Sequence, residues 1–208
     1  MLMALTSKNI DELRIYKSVA KYLTENNSEF KINDAATVAL VDNFCCAMRD
    51  DEVALKNSFN TAIESMKSDG MLDKLINEYI NQIDEGQTPH AVEISHIDGA
   101  DTIKVGVTGD LPPLDLVLAD GTPAGFNTAI LAEISRRINK NIELIQIDSS
   151  ARAAALTSGQ VDVVFWVVVP DDNSRPKDID TPAGVSVTEP YYQDVVVDVN
   201  LSNLGAGV

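Results

Sequence analysis

The sequence predicts an α/β fold: a lobe of mostly parallel sheet flanked by helices, with a second lobe that is incomplete. Three observations carry this reading. Short apolar runs and helical stripes alternate from about residue 102 onward; a polar stretch over 84–101 divides that half from an opening region with its own helical rhythm; and nothing after Tyr192 supplies another sheet. Alternating β and α elements with apolar strands imply a sheet covered on both faces.

In the second half, residues 103–107 form a short apolar strand, and Asp120-Gly121 marks a turn. Phe126, Ile130, Ile134 and Ile138 recur at helical spacing. Residues 142–147 are a further strand, 152–158 a short helix and 161–169 a long apolar strand. In the first half, Leu13, Tyr16, Val19, Ala20 and Leu23 form the apolar face of a helix, which Asn26-Asn27-Ser28 breaks. Strands are expected at 38–41 and 44–48. A helix from about Glu52 carries Val53, Phe59, Ile63 and Met66 on one face and ends at Asp69-Gly70. A second helix runs through Leu72, Leu75, Ile76, Tyr79 and Ile80. The stretch Asp84-Glu85-Gly86-Gln87-Thr88-Pro89, with Ile97-Asp98-Gly99 beyond it, has the composition of a linker.

One pattern occurs twice. Ala4-Leu5-Thr6-Ser7, followed after two residues by Ile10-Asp11, repeats as Ala155-Leu156-Thr157-Ser158 and Val161-Asp162. A short helix leading into a strand with the same lettering suggests two related units.

Composition narrows the function classes. The 208 residues are 45% hydrophobic, enough for one sizeable core or two small lobes, and carry a formal net charge of −16. Such a surface repels phosphate backbones, so nucleic acid is not an expected partner. No apolar run approaches the roughly 20 residues that span a bilayer. The opening residues lack the basic segment and apolar core of an export signal. Either the protein stays inside the cell or the chain begins after that signal. Cys45 and Cys46 are adjacent inside an apolar run, which reads as buried small hydrophobes rather than a disulfide. His90 and His96 lack ligand-spaced companions, so no metal or cofactor is expected. No Ser-His-Asp order and no phosphate-binding glycine loop is present, which points away from an enzyme.

Four motifs stand in order between Val105 and Tyr192. A strand runs into an acid and a Pro-Pro loop in Val105-Gly106-Val107-Thr108-Gly109-Asp110-Leu111-Pro112-Pro113. A turn and helix start follow in Asp120-Gly121-Thr122-Pro123-Ala124-Gly125-Phe126-Asn127. An arginine, short helix, Ser-Gly and Val-Asp lead into a strand from Ala151-Arg152 to Val161-Asp162-Val163. Thr188-Glu189-Pro190-Tyr191-Tyr192 closes the set. This half resembles the family 3 solute-binding proteins, the amino-acid receptors of ABC importers, whose fold is the type II periplasmic-binding-protein lobe pair. The first 85 residues resemble the end of the same family: residues 10–23 its last strand and helix of the second lobe, 44–49 its crossing strand, and Asp69-Gly70-Met71-Leu72-Asp73-Lys74-Leu75 the step between its final helices. The end therefore precedes the beginning, as in a window across tandem modules or a circular permutant. The resemblance implies a remnant of the second lobe at 1–44, a crossover strand and terminal helices at 45–85, a linker at 86–101, the main ligand-binding lobe at 102–194, and a crossover strand and tail at 195–208. It favours a chain that starts after its export signal.

Open α/β sheets bind ligands beyond the carboxyl ends of their strands. The loops carrying Asp110-Leu111, Arg152 and 166–175 should share that rim. Asp110 suits a ligand ammonium, or caps its own loop. Arg152 suits a carboxylate through its bidentate fork, or is a surface arginine at a helix start. Trp166, the sole tryptophan, suits a flat wall, or is core. Arg175 aligns with the family's carboxylate-gripping arginine only across a gap. Leu111 replaces its stacking aromatic, and Asn127 its Gly-Phe-Asp acid. The resemblance implies an extracytoplasmic receptor for an amino acid or similar small polar solute. Its partner would be an ABC permease, and it would meet the membrane through an anchor outside this chain. A sensing domain of a membrane receptor and a lobe that has lost binding remain open. Because closure needs two walls, the chain alone is expected to bind weakly or not at all.

Overall fold

A computed structural model describes residues 2–33, 40–82, 88–171 and 182–202. The opening region contains a short helix α1 (Leu2–Thr6), strand β1 (Leu13–Tyr16), helix α2 (Lys17–Asn26) and strand β2 (Phe30–Asn33). Strand β3 (Leu40–Arg49) leads into helices α3 (Val53–Ser68) and α4 (Met71–Ile76), the latter continuing as a wider turn over Asn77–Asn81. Strand β4 (Thr102–Val107) begins the second half. A small hairpin follows: β5 (Asp110–Leu111), β6 (Asp115–Val117) and β7 (Pro123–Ala124). Then come helix α5 (Phe126–Ile138), strand β8 (Asn141–Gln146), a single turn at Ser149–Ala151, helix α6 (Arg152–Thr157), and strands β9 (Val163–Pro170), β10 (Val185–Val187) and β11 (Tyr192–Leu201).

The main sheet runs β1-β11-β3-β9-β4-β8, with β10 joined to β3 and β2 to β11. The α/β lobe expected from the alternation is present, but the sheet is mixed rather than mostly parallel. β4 pairs in parallel with β8 and β9. β3 pairs antiparallel with β9, β10 and β11, and β11 antiparallel with β1 and β2. Parallel pairing needs a crossover, usually a helix, and those crossovers are supplied by α5 and α6. The strands that enter from outside this run are free to pair the other way.

The opening helix is shorter than its periodicity suggests. Residues 13–16 are strand, with Leu13 opposite Val199 and Tyr16 opposite Val196; only 17–26 is helical. A four-residue apolar segment cannot be assigned by spacing alone, and the unpaired edge of β11 decides. The strand-then-helix order implied by the resemblance for 10–23 is the one observed. The linker-like stretch is pinned at several points over its described residues 88–101. Ala91 bridges to Ala124, Val92 is buried, and the Asn141 side chain accepts from Ile97 N at 2.8 Å and donates to Ala100 O at 2.9 Å.

Helices α3, α4 and α5 cover one face of the sheet through Phe59, Ile63, Met66, Leu72, Ile130 and Ile134. Gly70, at φ 77°, separates α3 from α4. Arg137 on α5 donates to Asp69 at 2.7 Å and Glu133 at 2.7 Å, so the helices of the first half are clamped to the second. Helix α6 covers the opposite face over Cys45, Ala47, Val164 and Val167. A third, small cluster of Leu5, Leu13, Ala20, Phe30 and Val199 sits at the far end of β11. Both cysteines are buried and free; burial raises the Cys45 thiol to about 12 and holds the Cys46 thiol well above the ordinary thiol range.

The repeated lettering has a structural counterpart. Ser7 Oγ donates to Ala4 O at 3.2 Å, and Ser158 Oγ to Ala155 O at 3.2 Å. Ile10 N donates to Ala4 O at 3.3 Å, and Val161 N to Ala155 O at 3.2 Å. Leu5 and Leu156 are both buried. Gly159 takes φ 74°, and its counterpart Lys8 takes φ 57°. A lysine pays a steric penalty there that glycine does not. Lys8→Gly is therefore expected to stabilise the chain by about 1 kcal/mol, seen as a raised urea midpoint; a lowered midpoint would contradict the strain. Phe59→Ala, at a fully buried site, should cost about 3–5 kcal/mol in the same measurement, whereas an outward-facing α3 would make it nearly neutral.

Candidate ligand site

β4 and β8 end at a common level. β9, whose parallel pairing with β4 stops at Val164, runs on to Pro170, so Trp166 lies within the strand rather than at the end expected of it. Val107 on β4 is level with Gln146 on β8, and Gly106 with Val164 on β9. Thr108-Gly109-Asp110 therefore leaves the sheet beside the end of β8, at the height of Trp166. The turn Ser149–Ala151 brings in α6, so that Arg152 opens that helix.

Asp115 builds the first loop. It is 2% exposed, and one carboxylate oxygen accepts from Thr108 N at 2.9 Å, Thr108 Oγ1 at 2.9 Å and Gly109 N at 3.0 Å. Gln146 Nε2 donates to Thr108 O at 3.1 Å. Gly109 takes φ +72°, and a Cβ there would lie 2.7 Å from Val117 Cγ2, so only glycine fits. Asp110 and Leu111 form β5, paired to β6. Asp110 is exposed and Leu111 half-buried.

Trp166 is placed by an irregularity in β9. Cys45 on β3 faces Val167 and Cys46 faces Phe165, so Trp166 is the extra residue of a bulge. Bulges re-aim side chains, and here the indole joins the residues around Phe44 rather than the α6 face. Its ring lies 4.6 Å from Phe44 and 5.9 Å from Tyr16. The Arg152 guanidinium stands 5.3 Å over the indole and donates to Trp166 O at 3.2 Å. Trp166 is 5% exposed, and its Nε1 has no acceptor among the described residues.

Sequence-expected residues thus fall into three groups. Arg152 and Trp166 are in contact. Asp110 and Leu111 stand on the same rim, on the hairpin side. Arg175 lies outside the described residues. Tyr16, Asp42, Phe44 and Asp115 were not expected at the site. The spacing of Tyr16 suited a helix face, and Phe44 read as plain strand. Asp42 and Asp115 acquire significance only through burial, which local sequence does not encode. The closing motif is architectural: Thr188 Oγ1 accepts from Cys46 N at 3.0 Å, Tyr191 Oη donates to Asn127 Oδ1 at 3.0 Å, and Tyr192 packs on Phe44 and Phe126.

The model of the bacterial extracellular solute-binding proteins, family 3, matches residues 103–200, from the first parallel strand to the end of β11. That segment is similar to this family over a little under half of the chain. Solved structures align at low identity. A phosphate-binding protein of a phosphate ABC transporter from Streptococcus pneumoniae aligns with 12% identity and a TM-score of 0.49, over 97% of this chain and 70% of its own. The ligand-binding component of an ABC-type import system from Staphylococcus aureus, with zinc bound, aligns with 12% identity and a TM-score of 0.47, over 98% and 52%. NikA from Brucella suis in complex with Fe(III)-EDTA aligns with 11% identity and a TM-score of 0.44, over 99% and 56%. The chain therefore spans little more than half of the latter two. No curated protein matches the sequence.

Burial pushes the Asp115 carboxyl above the ordinary aspartate range, against the opposing pull of its Gly109 and Thr108 donors. A folded-state value above the unfolded one means that the folded chain holds more protons between the two. Stability from this group therefore grows as pH falls through that window and is lost as pH rises. Wild type is expected to gain on Asp115→Asn between pH 7 and about 4, measured as the difference in urea midpoints. A constant difference would show that burial does not control this carboxyl.

Proposed function

We propose that this chain supplies the main binding lobe of an extracytoplasmic solute-binding protein that captures an amino acid or similar small polar solute for an ABC importer. The contact between Arg152, at the start of α6, and Trp166, on β9 just beyond its parallel pairing with β4, carries the reading. A guanidinium over an indole is attracted to the ring face, and its fork matches the geometry of a carboxylate. Asp110, exposed on the neighbouring hairpin, is the group proposed for the ligand ammonium, with Leu111 beside it as apolar wall. Arg175 is retained as a second candidate for the carboxylate. The match of residues 103–200 to the family of extracellular solute-binding proteins supports a permease as partner and a location outside the cytoplasm. No helix among the described residues is long and apolar enough to cross a membrane; contact with the membrane through an anchor outside this chain is part of the proposal.

We read residues 1–44 as a remnant of the second lobe. Support comes from the separate small cluster around Leu5, Leu13 and Phe30, joined to the main lobe through β3 and β11. A wall of that size encloses little of a ligand, and enclosure is what gives such receptors their affinity. Isothermal titration with the twenty amino acids should give at best Kd of about 1 mM, for ligands whose signal Arg152→Gln abolishes. Submicromolar binding would overturn the incomplete second lobe. A signal indifferent to Arg152→Gln would overturn the assigned site.

A further inference from the structure

Strand β8 closes one end of the main sheet, and among the described residues no strand pairs with its outer side. The bonds at its two ends fix its phase. Asn141 N donates to Asp101 O at 2.8 Å, and Ile147 N to Val107 O at 2.9 Å. In a parallel pair, alternate residues turn their backbone groups to opposite sides of the strand. Positions 141, 143, 145 and 147 therefore serve β4, and Ile142, Leu144 and Gln146 turn their N–H and C=O groups outward.

The same three residues line a groove of about 860 Å³ beside the strand. Its far wall is the stretch 91–94, fastened to β7 by the Ala91–Ala124 bridge and by Val92 N donating to Pro123 O at 2.9 Å. Val92 and Ile94 from that wall, Val117 from β6, and Ile142 and Leu144 make the lining largely apolar. Glu93 and Asp120 are its charged members, and no lysine or arginine lines it among the described residues. Glu143, on the other face of β8, is exposed.

Sheets usually guard such an edge. At the opposite end of this one, β1 has only four residues and an exposed Arg14. β8 has six, with neither proline nor lysine, and its Ile142 and Leu144 are only half-buried. A row of outward backbone groups, with alternate side chains opening into an apolar groove, is what an added strand uses. Charge decides which strand. A second copy would bring its own Glu143 to this edge, and a second net charge of −16, so like charges oppose self-pairing.

We propose that β8 and its groove seat an extended segment of a partner protein in which apolar residues alternate with basic ones. The segment pairs with the outward backbone groups of Ile142, Leu144 and Gln146. Its apolar side chains enter the groove, its basic ones lie beside Glu143, and Glu93 and Asp120 add attraction from the groove side. The seat involves neither Arg152 nor Trp166, so it stands apart from the proposed ligand site.

Fluorescence anisotropy of a labelled, end-capped peptide of about six residues, valine alternating with lysine, is measured against the full chain. It should bind saturably, and its counterpart of valine and glutamate about tenfold more weakly or worse. Two further peptides carry N-methyl groups on all the valine amides or on all the lysine amides. One of them loses every donor aimed at β8 while keeping its charge, so it should bind about tenfold more weakly than the other. Equal binding of the two would mean plain attraction to an acidic surface and overturns the seat, as does failure of the unmethylated peptide to bind. Leu144→Pro removes an outward N–H that β4 does not use, and should weaken binding about tenfold; undiminished binding overturns the proposal. Circular dichroism checks that this variant is folded. If it is not, Glu93→Lys/Glu143→Lys serves in its place, beside Glu64→Lys/Glu78→Lys, which makes the same change of charge at exposed positions elsewhere. The first pair should weaken binding about tenfold more than the second, and equal losses overturn the seat.

Discussion

The fold depends on β3 finding partners along both of its edges. Residues 44–48 are almost wholly removed from water, so each of their backbone N–H and C=O groups needs a protein acceptor or donor. β9 supplies one edge over Asp42 to Met48, and β11 and then β10 supply the other. Where β10 gives way to β11, the ladder is bridged by the Thr188 hydroxyl and amide on Cys46. At the end of the strand, Arg49 donates to Leu156 O at 3.2 Å and Val161 O at 3.0 Å, closing the last turn of α6. Without β3, the segment that matches the family would present a long open edge on β9. This is why a strand from the first half is integral to a lobe encoded mainly in the second.

The same pairing creates the site. The bulge opposite Cys45 and Cys46 turns Trp166 away from the α6 face at the level where the parallel strands end. Arg152 reaches it over the rim from the other side, and Asp115 tightens the adjoining loop. The contact between the indole and the guanidinium is thus a consequence of register. A one-residue slip between β3 and β9 would reverse the face of every side chain on the strand and separate the indole from the guanidinium.

What could be read from the sequence follows this division. Strand and helix alternation in the second half, the stripe Phe126 to Ile138 and the order of the four motifs are local signals, and the corresponding elements form close to where spacing puts them. The contact of Arg152 with Trp166 was legible in part, because the connection after β8 and the stretch of β9 beyond its pairing with β4 lie at one level, although Trp166 stands within β9 rather than at its end. The mixed sheet was not, since pairing direction depends on where distant strands arrive. Residues 13–16 fell to the edge of β11 by the same logic. Tyr16, Asp42 and Asp115 escaped notice because their importance arises from partners far along the chain or from burial, and their local spacing has innocent readings.

Charge offers a further constraint on what this rim can hold. In a chain of net charge −16, a half-buried arginine stacked on tryptophan is a local exception to a field that repels anions over most of the surface. Asp194 and Asp42 are buried on neighbouring strands, directly opposite each other. Asp194 is held by the Ser18 amide and hydroxyl at the start of α2, with burial raising its pKa, so that carboxyl is already engaged by the fold. Asp110 stays outside these networks as an exposed acid on the rim. A small solute bearing only negative charge would face this acid and the surrounding field, while one bearing only positive charge would meet the guanidinium. A zwitterion satisfies both, provided that its two ends span the distance between the hairpin and α6. The amino-acid-like solute proposed above is a ligand of that kind.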